Sequence, residues 1–242
     1  MSKNINFKNS LGPIYFNKNL YSSNKAKLKI ILKNILLSLN YKKDVFHSFS
    51  KNFNFNFKYS EIIKFNKYKS IILVGMGGSV LGAEAIHSIC KNRIKKNFTF
   101  FDNLDQLKIE KIKKSINFKN SFFIIISKSG NTLETLVNIN LLKEKINNKN
   151  TVIITEDSNN LLNKFANKKK ILLIEHKNYI GGRYSVLSEV GMIPAYFMGL
   201  KINHFRKNLL SFFKSKKKDF LINTATKLSH MYKSKRINSI IL

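Results

Sequence analysis

The sequence predicts an α/β protein: a doubly wound, five-stranded parallel sheet, with an N-terminal helix before it and C-terminal helices after it. Three observations carry this expectation. Short apolar runs alternate with helical patterns through the middle of the 242-residue chain. The connections between them are short. Several runs end in glycine or serine clusters, where a parallel strand hands over to a loop. Such β/α alternation implies right-handed crossovers with helices on both faces of the sheet.

Each element has its own signal. From Asn24 to about Ser50, apolar residues recur at helical spacing (Leu28, Ile31, Leu32, Ile35, Leu36, Leu39), predicting an amphipathic helix. Asn52-Phe-Asn-Phe-Asn-Phe57 alternates with period two. It reads either as a strand or as a linker with buried phenylalanines. Five strands follow, at 71–74, 98–101, 122–126, 152–154 and 171–174, with helices at 80–91, 105–116, 132–146 and 160–166 between them. Beyond Gly181 the pattern turns helical, over about 189–199, 204–214 and 219–233. The segment Ile237-Asn-Ser-Ile-Ile-Leu242 reads as the start of another strand.

Composition narrows the classes. The chain is 43% hydrophobic and 12% aromatic, enough to bury a core, which excludes wholesale disorder. One cysteine, Cys90, excludes an internal disulfide framework and a cysteine-rich zinc site. No apolar run approaches the ~18 residues of a membrane span, and the N-terminus has no hydrophobic signal core. The expectation is a soluble, cytoplasmic protein with no membrane contact. The net charge of +31 suggests a nucleic-acid partner at first sight. The skew toward Lys, Asn, Ile and Phe matches A/T-rich codons, however, and lysines lie along the whole chain. Its densest runs, Lys168–Lys170 and Lys216–Lys218, fall between elements or at helix ends and read as solvated faces. Nucleic acid is therefore a weak expectation, while the field favours small anions.

Three segments lie at strand ends, where ligands bind in such sheets. Gly75-Met-Gly-Gly-Ser79 lets a backbone approach a phosphate, and Ser79 can cap the next helix. A dinucleotide fingerprint needs glycine where Val80 stands, although Asp102 lies at the distance of a ribose-binding acid. A P-loop needs lysine where Ala83 follows Gly82. Ser127-Lys-Ser-Gly-Asn-Thr-Leu-Glu-Thr135 gathers hydroxyls and N–H groups at a helix N-terminus, which suits a phosphate. Asn131 with Glu134 reads as a capping box. Tyr179-Ile-Gly-Gly-Arg-Tyr-Ser-Val-Leu-Ser188 carries a glycine pair and an arginine in a lysine-rich chain. Its planar guanidinium suits a phosphate or a developing enediolate; the alternative is a structural arginine held by Glu189 or Glu175.

Gly75-Met-Gly-Gly-Ser-Val-Leu-Gly82, the Ser127–Thr135 loop and Gly181-Gly-Arg-Tyr-Ser-Val-Leu-Ser188 stand in an order that resembles the phosphoglucose isomerase family. Its two halves are sugar-isomerase (SIS) domains. The first two motifs are shared by SIS domains generally, and the third is more specific. The similarity covers roughly residues 60–200. The resemblance implies a flavodoxin-like strand order. It also implies a domain plan: residues 1–60 as a helical lead, 61–200 as the SIS-type domain, 201–236 as a helical connection and 237–242 as the start of a truncated second SIS domain. Ser127, Lys128, Ser129 and Thr132 would then hold the phosphate of a hexose 6-phosphate. Gly78, Ser79 and Gly182 would line the sugar, and Arg183 would stabilise the enediolate. The implied reaction interconverts glucose 6-phosphate and fructose 6-phosphate through a cis-enediol, without metal or organic cofactor, in a homodimer when full length.

The resemblance leaves a gap. The family's base glutamate and its ring-opening His and Lys come from the second half, and no match to them stands within 1–242. His176, His204 and His230 sit in no recognisable acid–base pattern. The expectation is that this chain alone binds sugar phosphate weakly and isomerises it poorly or not at all. Two rivals are a non-catalytic SIS module that senses a sugar phosphate and a basic nucleic-acid binder. Isomerisation of mannose or amino-sugar phosphates is a third possibility, disfavoured by the Gly182-Arg183 motif.

Overall fold

The computed structural model describes residues 17–233. The chain divides into a compact unit of residues 43–206 and a second unit drawn from the flanking segments. In the flanking unit, α1 (Lys18–Ser38) opens on Asn17, whose side chain accepts the Leu20 N–H at 3.1 Å. The helix thus starts earlier than the spacing of apolar residues suggested. It also stops well before Ser50: a separate 3₁₀ turn, Val45–Phe49, begins at Asp44, whose carboxylate caps Phe46 N at 2.8 Å. A polar N-cap, invisible to hydrophobic periodicity, sets each boundary.

The sheet unit runs in order through α2 (Tyr59–Ile62), β1 (Ser70–Val74), α3 (Leu81–Cys90), β2 (Asn97–Phe101), α4 (Gln106–Ser115) and β3 (Ser121–Ile126). It continues through α5 (Leu133–Leu142), β4 (Thr151–Thr155), α6 (Leu161–Lys169), β5 (Leu172–Glu175), α7 (Glu189–Phe197) and α8 (Ile202–Arg206). All strand pairs are parallel and the order is β2-β1-β3-β4-β5. This is the order expected, and the strands fall where the apolar runs placed them.

Residues 52–57 form no strand. Their alternation packs aromatic rings instead: Phe53 and Phe57 are buried, and successive rings stand 5.4 Å and 5.2 Å apart through Phe55. The helix expected over 204–214 ends at Arg206. Asn208 leaves the helical region (φ −106°, ψ 8°) and a 3₁₀ turn, Leu209–Phe213, follows. The last helix, α9 (Ser215–Lys233), packs against α1 in the flanking unit. The strand expected at Ile237–Leu242 lies outside the described residues.

The alternation of strand side chains builds two cores. On one face, Ile72, Val74, Phe123, Ile125 and Ile153 pack against Ile109 of α4, Ile139 and Leu142 of α5, and Leu162 and Ala166 of α6. On the other, Phe122 stacks on Phe65 at 4.3 Å and meets Phe197 of α7 at 4.7 Å. Helix α3 packs on α7 on this side. With both faces covered, β3 is buried along its whole length, and its residues are apolar apart from Ser121. Phe122→Ala removes a ring with no solvent exposure and leaves a cavity between two other rings. It should lower the unfolding free energy by about 3–5 kcal/mol, read as a fall in the urea midpoint at unchanged slope.

Candidate functional site

Strands β1 and β3 are neighbours in register, so the loops that leave them start side by side. The Ser127–Thr132 loop folds on itself. Gly130 N–H donates to Ser127 O at 3.2 Å, with Gly130 in the left-handed region at φ +66°. A side chain there is excluded twice over, because a Cβ would also lie 2.1 Å from the Asn160 amide. The turn draws three hydroxyls together: Ser127 Oγ and Thr132 Oγ1 at 2.9 Å, and Ser129 Oγ and Thr132 Oγ1 at 3.5 Å. Thr132 is the N-cap of α5, yet its side chain does not cap the helix. The helix therefore opens with first-turn N–H groups and their partial positive charge beside three hydroxyls.

Asn131 does not form the expected capping box with Glu134. Its Oδ1 accepts Leu161 N–H at 3.0 Å, and Gly130 O accepts Leu162 N–H at 3.2 Å. The loop thus ties itself to the first turn of the next helix. Asn160 completes the tie: its amide donates to Thr155 Oγ1, Glu156 O and Ser158 Oγ, while its Oδ1 accepts Asn163 N–H. Asn160 was legible only as a helix start, and its role in backing the loop was not. Lys128 points away from the hydroxyls. Its Nζ donates to Asn178 O at 2.7 Å and pairs with Glu156 at 3.3 Å.

The glycine motif and the arginine motif meet backbone to backbone. A Cβ on Gly78 would fall 2.3 Å from the Gly182 carbonyl carbon and 2.7 Å from Arg183 N. Ser185 Oγ donates to Gly182 O at 2.6 Å and reaches Gly78 O at 3.4 Å. Ser79 lies in a short 3₁₀ turn, Gly77–Ser79, rather than at the cap of α3, whose cap residue is Val80. Arg183 is exposed, with its guanidinium 6.0 Å from the Tyr184 ring centroid. Neither Glu189 nor Glu175 holds it: Glu189 accepts from Lys177 at 3.0 Å and Glu175 from the Asn56 amide at 3.2 Å. The structure thus brings Gly78, Gly182 and the main chain of Arg183 into one contact, with Ser79 next to Gly78 in the same turn. Ser127, Ser129 and Thr132 form another at the neighbouring strand end, with Lys128 turned aside.

Behind these loops lies a charged layer that sequence reasoning missed. Arg206 donates to Leu187 O, Ser48 O and Ser50 O and lies over the Phe53 and Phe55 rings. Burial lowers its pKa to about 10, with Glu189 opposing, so it stays charged at neutral pH. His176, buried at the end of β5, has its Nδ1 3.1 Å from Lys177 O. Burial holds it below the ordinary histidine range; the Lys177 carbonyl opposes this, Lys128 adds to it, and Glu189 and Glu156 oppose it. The signal available was the Glu175-His-Lys177 run at a strand end, a polar cluster where an apolar strand stops.

Comparison with known proteins decides the family. The phosphoglucose isomerase family model matches residues 22–225. The chain belongs to the phosphoglucose isomerase family. It is 37% identical over 143 residues to a glucose-6-phosphate isomerase of Methanocaldococcus jannaschii, covering 57% of this chain and 35% of that protein. It is 40% identical over 149 residues to one from Borreliella burgdorferi, covering 52% and 26%. The chain thus spans between about a quarter and about a third of the length of these curated relatives. Among solved structures, a hypothetical protein from Thermus thermophilus superposes with a TM-score of 0.70 at 19% identity, covering 87% of this chain and 54% of that one. A Chlamydia trachomatis glucose-6-phosphate isomerase gives 0.51 at 21%, covering 69% and 32%. Both likenesses bear on the fold. Among the described residues, no helix is long and apolar enough to cross a membrane, and no three metal-ligating side chains gather.

His176 supplies a pH signature. Its folded pKa lies below the ordinary histidine value of 6.5, so below that pH the unfolded chain binds more protons. Stability is retained above pH 6.5 and falls on acidification. The thermal midpoint should drop between pH 7 and pH 5, and His176→Gln should flatten part of that drop. An identical slope in the variant would remove the histidine from the account.

Proposed function

We propose that this chain carries the phosphate-binding half of an aldose–ketose isomerase acting on glucose 6-phosphate and fructose 6-phosphate. The observation that supports it most is the paired arrangement at one sheet end: a hydroxyl-lined helix start at 127–132 beside an arginine turn wedged against Gly78. Family membership supports the reaction class. In this reading Ser127, Ser129 and Thr132 and the first N–H groups of α5 receive the phosphate dianion. Lys128 adds positive charge from the side. Gly78, Ser79 and Gly182 offer a surface without bulk along which the open-chain sugar lies. Arg183 faces C1 and C2, where its fixed charge stabilises the oxyanion that develops as a proton leaves C2 and returns to C1 through the cis-enediol.

The proton needs a base. Three carboxylates around these loops are engaged: Glu189 with Lys177 and the Asn56 N–H, Glu156 with Lys128, and Glu175 with the Asn56 amide. The reading therefore expects residues 1–242 alone to bind a hexose 6-phosphate with little or no turnover, and the longer homodimeric enzyme to supply the base.

Titration calorimetry with fructose 6-phosphate and inorganic phosphate tests this. Ser129→Ala should weaken both about tenfold, the loss expected for a hydrogen bond to a charged group. Arg183→Ala should weaken fructose 6-phosphate alone. Equal affinity of Arg183→Ala and the parent for the sugar would favour a sensing module over an isomerase. Binding of neither ligand, together with duplex binding that falls steeply with salt, would replace the reading with a nucleic-acid one.

A further inference from the structure

We infer that the buried Lys177–Glu189 pair is a positioning device for Arg183. Lys177 and Glu189 stand at the two ends of the excursion 178–188, which contains the whole arginine turn. The ammonium and the carboxylate meet at 3.0 Å and close that excursion at its base. Glu189 has no solvent exposure and Lys177 is 9% exposed. Asn56, from the aromatic segment before the sheet, joins from outside: its N–H donates to Glu189 Oε1 at 2.7 Å, and its side-chain oxygen accepts from Lys177 Nζ. The ammonium also lies 5.2 Å from the Phe53 ring centroid. At the far end of the excursion, Gly182 rests on Gly78. The turn that presents Arg183 is therefore fixed at both ends, by an ion pair behind and by a backbone contact in front.

A pair kept for stability alone would not look like this. Glu189 Oε2 is buried without a hydrogen-bond partner. An orphaned carboxylate oxygen is costly, and apolar residues of similar volume commonly replace such pairs without loss. What an apolar pair cannot supply is direction. A carboxylate that receives both an ammonium and a main-chain N–H sets the separation of the two strands of the excursion, and hence the height of Arg183 above Gly78. The hydroxyls of Ser127, Ser129 and Thr132 bond one another rather than the pair, and the loop meets the excursion through Lys128 Nζ, which donates to Asn178 O, so the device acts on the arginine more than on the hydroxyl grip.

Only the ligand half of the test rests on the isomerase reading. Arg183 precedes an exposed Tyr184, so an arginine-specific protease reports the order of the turn, with the Arg93–Ile94 bond as internal reference in the same digest. Glu189→Gln should raise cleavage at Arg183 relative to Arg93 about tenfold. It should weaken fructose 6-phosphate binding to a similar degree, the penalty of a misplaced group, while leaving inorganic phosphate within about twofold. The double variant Lys177→Met/Glu189→Leu separates position from stability. It should melt near the parent temperature yet keep the raised Arg183 cleavage and the weakened sugar-phosphate binding. It also serves if Glu189→Gln does not fold. If the double variant matches the parent in cleavage ratio, the pair is structural only and the inference is overturned. If the parent binds no sugar phosphate, the isomerase reading fails, and the cleavage ratio still decides this inference.

Discussion

Gly78 and Gly182 touch through their main chains, and the rest of the site is arranged around that contact. A Cβ at Gly78 would come within 2.3 Å of a carbonyl carbon, so a larger residue forces one of two turns to move. One turn is anchored to β1, the other to β5 and α7. Those strands do not neighbour each other in the sheet, since β3 and β4 stand between them. The contact therefore spans two strands, and the Ser127–Thr132 loop rises from one of them, β3. The sheet order and one pair of side-chain-free residues produce this juxtaposition, and two long-range polar contacts support it, Ser185 Oγ to Gly78 O and Lys128 Nζ to Asn178 O.

The two halves of the site are held in different ways. The hydroxyl loop is fixed locally, by its own i→i+3 turn and by caps exchanged with α6. Its ties run mainly to the β4–α6 segment, with Lys128 reaching Asn178 O beyond β5. The arginine turn draws on residues far away in sequence: Asn56, Ser48 and Ser50 all contribute to the layer beneath it. Local fixing suits an anion grip, which needs only converging donors. Distant fixing suits a charge that must stand at a set point along a carbon chain, where a small error costs far more.

How far the sequence revealed this follows from the same distinction. β3 was legible because burial on both faces demands an unbroken apolar run, and Phe122–Ile126 is one. The hydroxyl loop was legible because its donors are consecutive. Helix boundaries were less so: Asn17, Asp44 and Asn160 act as caps through single side chains that leave no periodic trace. Asn131 was misassigned for an instructive reason. Its spacing from Glu134 satisfies a capping box, but the amide found a better partner in the exposed N–H at the start of α6. The Phe53–Phe57 alternation has the period of a strand, yet its rings pack on one another and on Arg206 rather than in a sheet. The Lys177–Glu189 pair joins residues from two elements through a third, and no local pattern encodes that.

Arginine usage ties the charge composition to the site. The chain has 44 basic residues, of which four are arginine, at positions 93, 183, 206 and 236. One, Arg183, stands inside the Gly181–Ser188 motif, and another, Arg206, bonds that motif from α8 through Leu187 O. Arg206 spreads its fork over three backbone carbonyls and two aromatic rings, an arrangement that a single ammonium on a flexible stem cannot reproduce. It holds Leu187 O, near the end of the motif, and thereby fixes the strand of chain that follows Arg183. Arg183 itself leaves its planar donors unburied at the turn's tip. In a chain where lysine far outnumbers arginine, two of the four guanidiniums serve this motif, where geometry as well as charge is required: Arg206 shapes the turn, and Arg183 presents the charge that the turn carries.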